Sequence, residues 1–531
     1  MFSGIFIGEK MLQFFDYAIF VLYALSLVLI ALYTVKRSRS VKDFLLAGKK
    51  GLNGWMSAFS YGTTYFSAVI FIGYAGKFGW TYGISSIWIG IGNALLGGLL
   101  AWLIMAKQTK NMTIRLDAKT MPEFFEKRYE SKFLKIFSAI LIFLFLIPYA
   151  ASVYNGLGNL FETLFGVSGT LVVIILAILT AIYLVFGGYL ATSLSDFIQG
   201  IIMLVGVLIM FFFFMGHSNV NWSEGLEKLS QSGFGLFYEE SESNFLNSPL
   251  VMLISLILLT SMGVYGLPQT VHKYYSIRDK KAINQGMIIT TIFAFLVGVV
   301  AYFVGGLSHL FFNNPSEFGG NTDNIIPLML SNFNVIPQGL LGLIGVLVLS
   351  ASMSTLASVS LSSASVLSID IYKGTIKKKA SDKNVTLVMR IVSFLFIVLS
   401  VVIALLNKKF NITAIAYLMS LSWGTLSGCF FGPFVLGLYN RKITKTASIC
   451  SLVGGLLFTI IFIFVFGAIK EGKNANFSAI LQSGVSMSPL IGVLCIIFSI
   501  VVTIVVSLFT KKPTEETIYN AFEKTFDGEI K

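Results

Sequence analysis

Long, uninterrupted apolar segments restrict what this chain can fold into. Hydrophobic residues make up 56% of its 531 residues. They are concentrated in runs of about 20 residues, the length that an α-helix needs to cross a bilayer. The strands of a β-barrel would instead alternate apolar and polar residues. The pattern predicts an all-α polytopic membrane protein, because a helix satisfies its own backbone hydrogen bonds in lipid. We expect about 13 transmembrane helices, near residues 13–35, 55–76, 83–106, 133–157, 168–187, 190–215, 249–272, 283–312, 336–370, 386–406, 411–438, 446–468 and 487–510.

Basic residues are distributed unevenly between the loops that join these segments. The net charge of +13 could by itself indicate a nucleic-acid partner. However, 30 of the 38 Lys and Arg residues fall in one set of alternate loops, and seven fall in the other set. This is the positive-inside pattern. It predicts a plasma-membrane protein with its N-terminus outside, a cytoplasmic C-terminal tail at 511–531, and no nucleic-acid partner.

The predicted span 336–370 has an unusual second half. From Leu349 it reads LSASMSTLASVSLSSASVLSIDIY, with a hydroxyl group at almost every second position. At about 100° per residue, a helix collects on one face the residues Ala351, Ser354, Thr355, Ser358, Ser362 and Ser365. Most of these hydroxyls are expected to bond to the backbone or to pack against other helices. Ser354 and Thr355 are candidate cation ligands, because their hydroxyls converge with the Ala351 carbonyl and a hard cation requires several oxygens.

Two of the predicted spans contain residues that weaken a helix. One includes SYGTTYFSAVIFIGYAG, and the other includes SMGVYGLPQTVHKYY with Gly263, Gly266 and Pro268 close together. They lie about five spans apart, and paired discontinuous helices in two corresponding halves indicate the midplane solute and ion site of a secondary transporter. The backbone carbonyls of residues 63–66 are therefore candidate cation ligands, since irregular backbone in a membrane is tolerated where it lines a site.

Asp196, in the segment FGGYLATSLSDFIQG, is the clearest charged residue within a predicted span. A charge at this depth is costly and needs a partner. The sequence offers a hydroxyl, a bound cation or Arg390. Asp196 is either a structural acid near the membrane surface or part of an ion-coupling site.

Seven segments carry a resemblance to one transporter family. They are FLLAGKK, FSAVIFIGYAG, KTMPEFFEKRY, GGYLATSLSDFIQG, GLPQTVHKYYSIRD, ASMSTLASVSLSSASVLSIDIYK and WGTLSGCFFGPFVLGLYNRK. Through nearly its whole length the chain resembles the sodium:solute symporter family, which includes bacterial sodium/proline, sodium/galactose and sodium/sialic acid carriers. The resemblance implies a leucine-transporter-like fold in one transporter domain over 1–530. Within it, an extra N-terminal helix at 13–35 precedes inverted five-helix repeats at 52–215 and 249–438, and two further helices follow at 446–510.

The resemblance also implies a sodium site. By matching motif positions, this site would use the backbone carbonyls of Thr63, Phe66 and Ala351 and the hydroxyls of Ser354 and Thr355. The same atoms were selected above from the serine stripe and from the broken span. Na⁺ is therefore the expected coupling ion.

Some family members hold a second sodium ion through the acid of the GG...D..Q motif and further hydroxyls. Asp196 and Ser358 match this second cation site, but Ala357 stands where the family has a hydroxyl. Losing a ligand weakens a site that has few ligands to spare. We therefore expect one Na⁺ to be transported in each cycle.

These features together predict Na⁺-coupled symport of a small organic solute into the cell by alternating access. The expected partners are the solute, the sodium ion and membrane lipid, and a monomer is expected to be sufficient. An enzyme is not expected, because the spans contain no paired carboxylates, HExxH motif or Ser/His/Asp set. Two alternatives stay open, namely proton coupling through Asp196 and a passive solute channel.

Candidate solute contacts lie around the two broken spans and in a later span. They are Tyr65, Ser67, Ile70, Trp80, Ser85, Gln269, Ser420 and Trp423. Val69 and Ile70 stand where the sugar carriers place polar residues, which argues against a galactose-like solute. An acidic solute would rely on hydroxyls or on a half-helix N-terminus, since no Arg or Lys lies deep in the first or third core helix. The first expectation is a sialic acid or related sugar acid, and proline, a monocarboxylate and a vitamin-like acid are alternatives.

Overall fold

The fold is taken from a computed structural model. It describes residues 2–35, 51–220, 222–238, 245–333, 335–337, 339–410, 413–472, 475–526 and 529–530. Two features of the sequence lie outside these ranges, namely the FLLAGKK segment and the six basic residues between 36 and 50.

The described residues are almost entirely helical, as expected. Ten of their helices are long and apolar enough to cross a membrane, or eleven if a bent pair counts as one span. The ten are Asp16–Thr34, Val69–Arg115, Lys132–Phe165, Ala191–Gly216, Lys280–Leu310, Leu341–Ile376, Asp382–Phe410, Ile415–Tyr439, Lys445–Glu471 and Ser488–Phe509, and the bent pair is Pro249–Tyr265 with Pro268–Tyr275. Shorter helices are Gly54–Tyr65, Met121–Tyr129, Trp222–Gln231, Ile325–Ser331 and Phe477–Ser486. The all-helical fold is confirmed, whereas the number of 13 spans is not.

Two of the predicted spans are joined in one helical segment, Gly169–Gly216, of 48 residues. Near its start the Thr180 hydroxyl contacts the Met353 sulfur at 3.5 Å, and later Gly206 packs directly against Leu347. In a straight helix Thr180 and Gly206 would lie about 39 Å apart, yet their partners are separated by only about 9 Å of helix. The segment therefore doubles back on itself and approaches the same neighbouring helix twice.

Helices with different polarity occupy different depths in the bundle. In the most apolar stretch of Leu341–Ile376, which we call the serine helix, 94% of the residues are buried in protein. The corresponding shares for Asp382–Phe410 and Lys445–Glu471 are 33% each. Hydroxyl groups find hydrogen-bond partners among other helices but not in lipid, so the serine helix lies at the centre and the uniformly apolar helices lie outside.

The C-terminal residues, predicted as a short tail, fold back onto the rest of the chain. Asn111 exchanges two hydrogen bonds with the backbone of Ile530, at 2.9 and 2.8 Å. The guanidinium group of Arg115 contacts the Glu529 carboxylate at 2.7 Å. This ion pair and hydrogen bonding hold the pKa of Glu529 below its usual value. The tail is thus part of the folded surface on the predicted cytoplasmic side.

Candidate functional site

The first broken helix consists of Gly54–Tyr65 and a second half at residues 69–82. Its first half ends because Phe66 has extended backbone angles, φ −105° and ψ 127°. The end of a helix leaves its last carbonyls without intrahelical N–H partners. Beyond the break, the Ala68 N–H donates to the Ser352 hydroxyl at 3.0 Å. The Thr63 carbonyl is therefore available to side chains of the serine helix.

The break lies at residues 66–68, between Gly62 and Gly73 of the segment SYGTTYFSAVIFIGYAG. Gly73 and Gly76 are within the second half, where they permit close packing. A Cβ atom at Gly76 would lie 2.7 Å from the Thr322 carbonyl oxygen. Ser67 begins the second half, since its carbonyl accepts the Ile70 N–H at 3.0 Å. The Ser67 hydroxyl also accepts the Val69 N–H at 3.3 Å, so its side chain satisfies one of the N–H groups left free at this helix start.

Four of the five predicted sodium ligands meet at this break. The Ser354 hydroxyl donates to the Thr63 carbonyl at 2.7 Å and lies 3.1 Å from the Ala351 carbonyl. The Thr355 hydroxyl is 3.3 Å from the Thr63 carbonyl and 3.1 Å from the Ala351 carbonyl. All four residues are completely buried. Phe66, the fifth predicted ligand, donates its N–H to the Gly62 carbonyl, and the part of its own carbonyl in ion binding stays a prediction.

The oxygen cluster suits a small monovalent cation. Its members are neutral carbonyl and hydroxyl oxygens, and a hydroxyl can turn its proton away to present a lone pair. Oxygens bound at about 2.4 Å to a six-coordinate cation lie about 3.4 Å from one another, so the contacts at 3.1–3.3 Å need little adjustment. Within the described ranges, no group of three or more His, Cys, Asp or Glu could hold a metal ion. The cluster is therefore better matched to Na⁺ than to a divalent ion.

Asp196 contacts the first broken helix through Ser60 and has an unexpected second partner. Its carboxylate accepts a hydrogen bond from Ser60 at 2.5 Å and lies 3.4 Å from the Lys273 ammonium. Lys273 also donates to the Ser358 hydroxyl at 2.9 Å, which in turn lies 2.9 Å from the Thr64 hydroxyl. We call these five residues the lysine cluster. Of the partners that the sequence offered for Asp196, the structure shows a hydroxyl, that of Ser60, and its positively charged partner is Lys273 rather than Arg390.

The position of Lys273 corrects the sequence analysis, which counted it among the basic residues of a cytoplasmic loop. It lies within the helix Pro268–Tyr275 and is only 2% exposed. Pro268 at the first turn is a recognisable helix start, so the second broken span could have been extended past residue 272. The charge on Lys273 made a loop the simpler assignment, and its partner lies far away in the sequence.

Aromatic side chains connect the two breaks. Trp423 lies 5.9 Å from the Tyr65 ring and 5.7 Å from the Tyr149 ring, measured between centroids. A Cβ atom at Gly263, in the second broken helix, would lie 3.5 Å from the Trp423 ring. The Tyr65 hydroxyl donates to the Thr260 carbonyl at 2.6 Å. Tyr65 and Trp423 therefore lie together at the junction of the two broken helices, and their contact with a solute stays a prediction.

Several polar atoms at this junction are buried without a hydrogen-bond partner within the described ranges. They are both side-chain amide atoms of Gln269, together with the indole nitrogen of Trp423 and the hydroxyl of Tyr149, which lie near each other without forming a hydrogen bond of ordinary geometry. Tyr149 was not selected from the sequence, although it lies close to Ser67 and to Thr355 of the oxygen cluster. Buried polar groups usually have partners, so these groups are candidate ligands for a bound solute.

The remaining predicted solute residues lie in other surroundings. The Ser420 hydroxyl is 2.6 Å from the Tyr74 hydroxyl in the second half of the first broken helix. Trp80 stacks on His309 with centroids 4.0 Å apart, and the Ser85 hydroxyl donates to the Gly235 carbonyl at 2.8 Å. Trp80 thus contacts the end of the helix Lys280–Leu310 and Ser85 contacts the backbone at Gly235, and neither contact is with the aromatic junction. Ile70 is completely buried in the first turn after the break.

This arrangement of broken helices around a central polar helix is that of a secondary transporter with a leucine-transporter-like fold. A solved structure of a Na⁺-coupled sialic acid symporter, in a substrate-bound outward-open state, shares the fold with a TM-score of 0.74. It covers 94% of this chain and 98% of its own, at 19% sequence identity. A closed nucleobase-cation-symport-1 family transporter aligns with a TM-score of 0.50 and 14% identity, over 90% of this chain and 97% of its own.

The sequence comparisons identify the family. The sodium:solute symporter family matches residues 44–455, and the chain belongs to it. The osmoregulated proline transporter OpuE of Bacillus subtilis is 27% identical over 95% of this chain and 97% of its own length. A sodium/proline symporter of Staphylococcus aureus is also 27% identical, over 94% of this chain and 93% of its own. The protein is therefore a multi-pass membrane transporter and not an enzyme. It couples the movement of a small organic solute to Na⁺.

Proposed function

We propose that this protein imports proline, or a closely related small zwitterionic amino acid, together with Na⁺. The observation that carries the proposal is the junction of the two broken helices, where neutral oxygens adjoin unpartnered polar groups and aromatic rings. Relatives matched over nearly their full length are named for proline. The sialic acid symporter is similar at 19% identity, a level that supports the fold alone. Proline therefore replaces a sugar acid as the preferred solute.

For the ion, we propose coordination by the carbonyls of Thr63 and Ala351 and the hydroxyls of Ser354 and Thr355. The carbonyl of Phe66, which lies at the break itself, would join them. These atoms come from two different helices, so a bound Na⁺ would hold the first broken helix against the serine helix. An inward-directed potential of about 100 mV adds about 2.3 kcal/mol for each Na⁺, enough for an accumulation of tens-fold.

For the solute, we propose a site among Tyr65, Tyr149, Gln269 and Trp423. The amide, indole and hydroxyl groups can donate hydrogen bonds to a carboxylate, and the aromatic faces attract an ammonium group. A zwitterion brings both charges itself and leaves no net charge to be neutralised. A sugar acid would bring an uncompensated negative charge, and Lys273, the buried cation that the described part of the chain places near the breaks, is already engaged with Asp196.

Coupling between the two sites would pass through direct contact. Tyr149 lies close to Thr355 of the oxygen cluster and to Trp423. A cation that draws Thr355 and the first broken helix together would therefore fix the pocket walls before the solute arrives. The solute must strengthen Na⁺ binding by the same factor, because such coupling is reciprocal.

Transport by the purified protein in liposomes tests the proposal. Labelled proline and labelled sialic acid are supplied outside, with an inward Na⁺ gradient, a matched K⁺ gradient, or a proton gradient in the absence of Na⁺. We expect accumulation of proline with the Na⁺ gradient and little with the other two. The variant Trp423→Phe, which removes the indole N–H but keeps an aromatic ring, should raise the proline concentration for half-maximal uptake about tenfold.

The outcomes separate the alternatives. Accumulation of sialic acid instead of proline would contradict the proposed solute but not the coupling ion. Uptake driven by the proton gradient alone would support coupling through Asp196. Equilibration without accumulation would indicate a channel. A Trp423→Phe protein with unaltered proline affinity would remove the indole from the solute site.

A further inference from the structure

The ammonium group of Lys273 occupies a position that a free cation could take. Its nitrogen lies 2.9 Å from the Ser60 hydroxyl, 2.9 Å from the Ser358 hydroxyl and 3.4 Å from the Asp196 carboxylate. These three partners supply oxygen lone pairs, which match the three N–H donors of an ammonium group. The exposed fractions of the Lys273 and Asp196 side chains are 3% and 0%. The positive charge is thus enclosed by oxygen atoms.

The lysine cluster adjoins the oxygen cluster along two helices at once. Thr64 follows Thr63 in the first broken helix, and Ser358 lies one turn beyond Ser354 in the serine helix. Asp196 and Ser358 are also the residues that the sequence analysis assigned to a second cation site. Ala357 has no hydroxyl with which to complete that site. The lysine nitrogen lies where the remaining oxygens converge.

We propose that Lys273 is a tethered cation that fills this second site, so that the protein binds and transports a single Na⁺. The proposal rests on the Na⁺ site proposed above. A buried carboxylate requires one positive charge nearby, and Lys273 supplies that charge without leaving the protein. A sodium ion placed beside the ammonium group would be repelled by it, because like charges interact strongly where water is excluded.

The elements that meet at Lys273 explain how a fixed charge serves a moving transporter. Lys273 belongs to the second broken helix, Ser60 and Thr64 to the first, Ser358 to the serine helix, and Asp196 to the helical segment Gly169–Gly216. A transported ion must be released at each turnover, whereas a lysine keeps these four elements charge-balanced after the Na⁺ has left. Because Lys273 stays in the protein, one Na⁺ fewer is transported in each cycle.

Counting sodium ions tests the proposal directly. Equilibrium binding of ²²Na⁺ to the purified wild-type protein should give one ion per chain, and uptake should depend on Na⁺ with a Hill coefficient of one. Lys273→Met removes the charge but keeps a side chain of similar length. We expect this variant to bind two Na⁺ per chain and to raise the Na⁺-to-solute flux ratio from one to two.

The matched control is the double variant Asp196→Asn/Lys273→Met, in which both charges are absent. It should bind one Na⁺ again, because no buried negative charge remains to attract a second ion. A merely structural ion pair would leave the ion count at one in all three proteins. Two ions bound to the wild type, or one ion bound to Lys273→Met, would therefore overturn the proposal.

Poor folding of Lys273→Met does not prevent a decision. The proposal predicts that this variant can be purified as folded protein in Na⁺ but not in K⁺, since Na⁺ replaces the missing ammonium group. If Lys273→Met is unfolded in both salts while the double variant folds, the proposal is overturned. If neither variant folds, the wild-type ion count decides. A wild type that binds no Na⁺ at all would contradict the Na⁺ site itself, a result distinct from two bound ions.

Discussion

At the scale of single residues, Ser354 makes the closest contact within the oxygen cluster. Its hydroxyl touches carbonyls of both helices, at 2.7 and 3.1 Å. Ser354→Ala should raise the Na⁺ concentration for half-maximal uptake about tenfold, since one lost hydrogen-bonding ligand corresponds to about 1.4 kcal/mol. The measurement is uptake against Na⁺ concentration at saturating solute.

Ser362→Ala, two turns further along the serine helix, is the matched control for Ser354→Ala. Ser362 is buried in the same helix but lies outside both clusters, so its variant should keep the wild-type Na⁺ dependence. Equal shifts in the two variants would mean that any loss of a serine disturbs this helix, and Ser354 would then have no special part in ion binding.

The carboxyl group of Asp323 should make the stability of the folded protein depend on pH. Asp323 lies in the chain segment that connects two membrane-spanning helices. Burial raises its pKa from 3.8 to about 6, although it accepts a hydrogen bond from the Ile415 N–H. In the unfolded chain its pKa is about 3.9. Between these values the folded protein binds a proton that the unfolded chain does not. Stability from this group therefore rises as the pH falls through 6.

Thermal unfolding at pH 7 and at pH 5 checks this expectation. Asp323→Asn carries no titrating group, so it should lack the part of the acid stabilisation that Asp323 supplies. Comparing the variant with the wild type removes the contributions of all other groups. An identical change in Tm for both proteins would show that Asp323 titrates normally in the folded state.

At the scale of helices, the first broken helix packs very closely against Lys280–Leu310. A Cβ atom at Gly79 would lie 2.1 Å from the carbonyl carbon of Gly305, a distance at which backbone atoms must separate. Gly79→Ala should destabilise the folded protein by about 1–3 kcal/mol, seen as a lower Tm. Gly216→Ala is the control, because no atom lies within 4 Å of its added Cβ, and its Tm should be unchanged or slightly higher.

The sequence predicted helices better than it predicted their partners. The serine stripe and the broken spans follow from local spacing, and the structure brings Thr63, Ala351, Ser354 and Thr355 together. Their role as Na⁺ ligands stays a prediction. The burial of Lys273 depends on Asp196, 77 residues away, and no local pattern reports such a contact. Tyr149 was missed for the same reason, since an aromatic residue in an apolar span does not reveal which helix it faces.

The number of spans is not confirmed, because some helices continue across a reversal of the chain. The segment Gly169–Gly216 is helical throughout, including its turn. Hydropathy therefore divides it into two spans, whereas helix boundaries give a single segment. Glycines were also ambiguous from sequence alone. Gly76 permits close packing, whereas the break at residues 66–68 comes from the backbone conformation of Phe66. Composition identifies the residues that are able to end a helix, but tertiary contacts decide which of them does so.

At the scale of the whole molecule, the C-terminal residues fold back onto the predicted cytoplasmic face. Arg115→Ala should release the tail and make it more sensitive to limited proteolysis. The ion pair is partly exposed, with side-chain exposures of 18% and 11%, so we expect its loss to cost about 0.5–1 kcal/mol. Glu529→Gln should have the same effect, and the double variant should add little to either. An unaltered rate of cleavage would show that the backbone bonds to Asn111 are sufficient.

The oxygen cluster has an electrical consequence for the complete cycle. All of its members are uncharged, and the neighbouring lysine cluster contains one positive and one negative side chain. The empty carrier would therefore return across the membrane with no net charge at its ion sites, whereas the loaded carrier moves one positive charge. Hyperpolarisation should accelerate only the inward, loaded step and leave the return step unaffected. At saturating Na⁺ and solute, the current should then stop increasing once the voltage-independent return limits turnover.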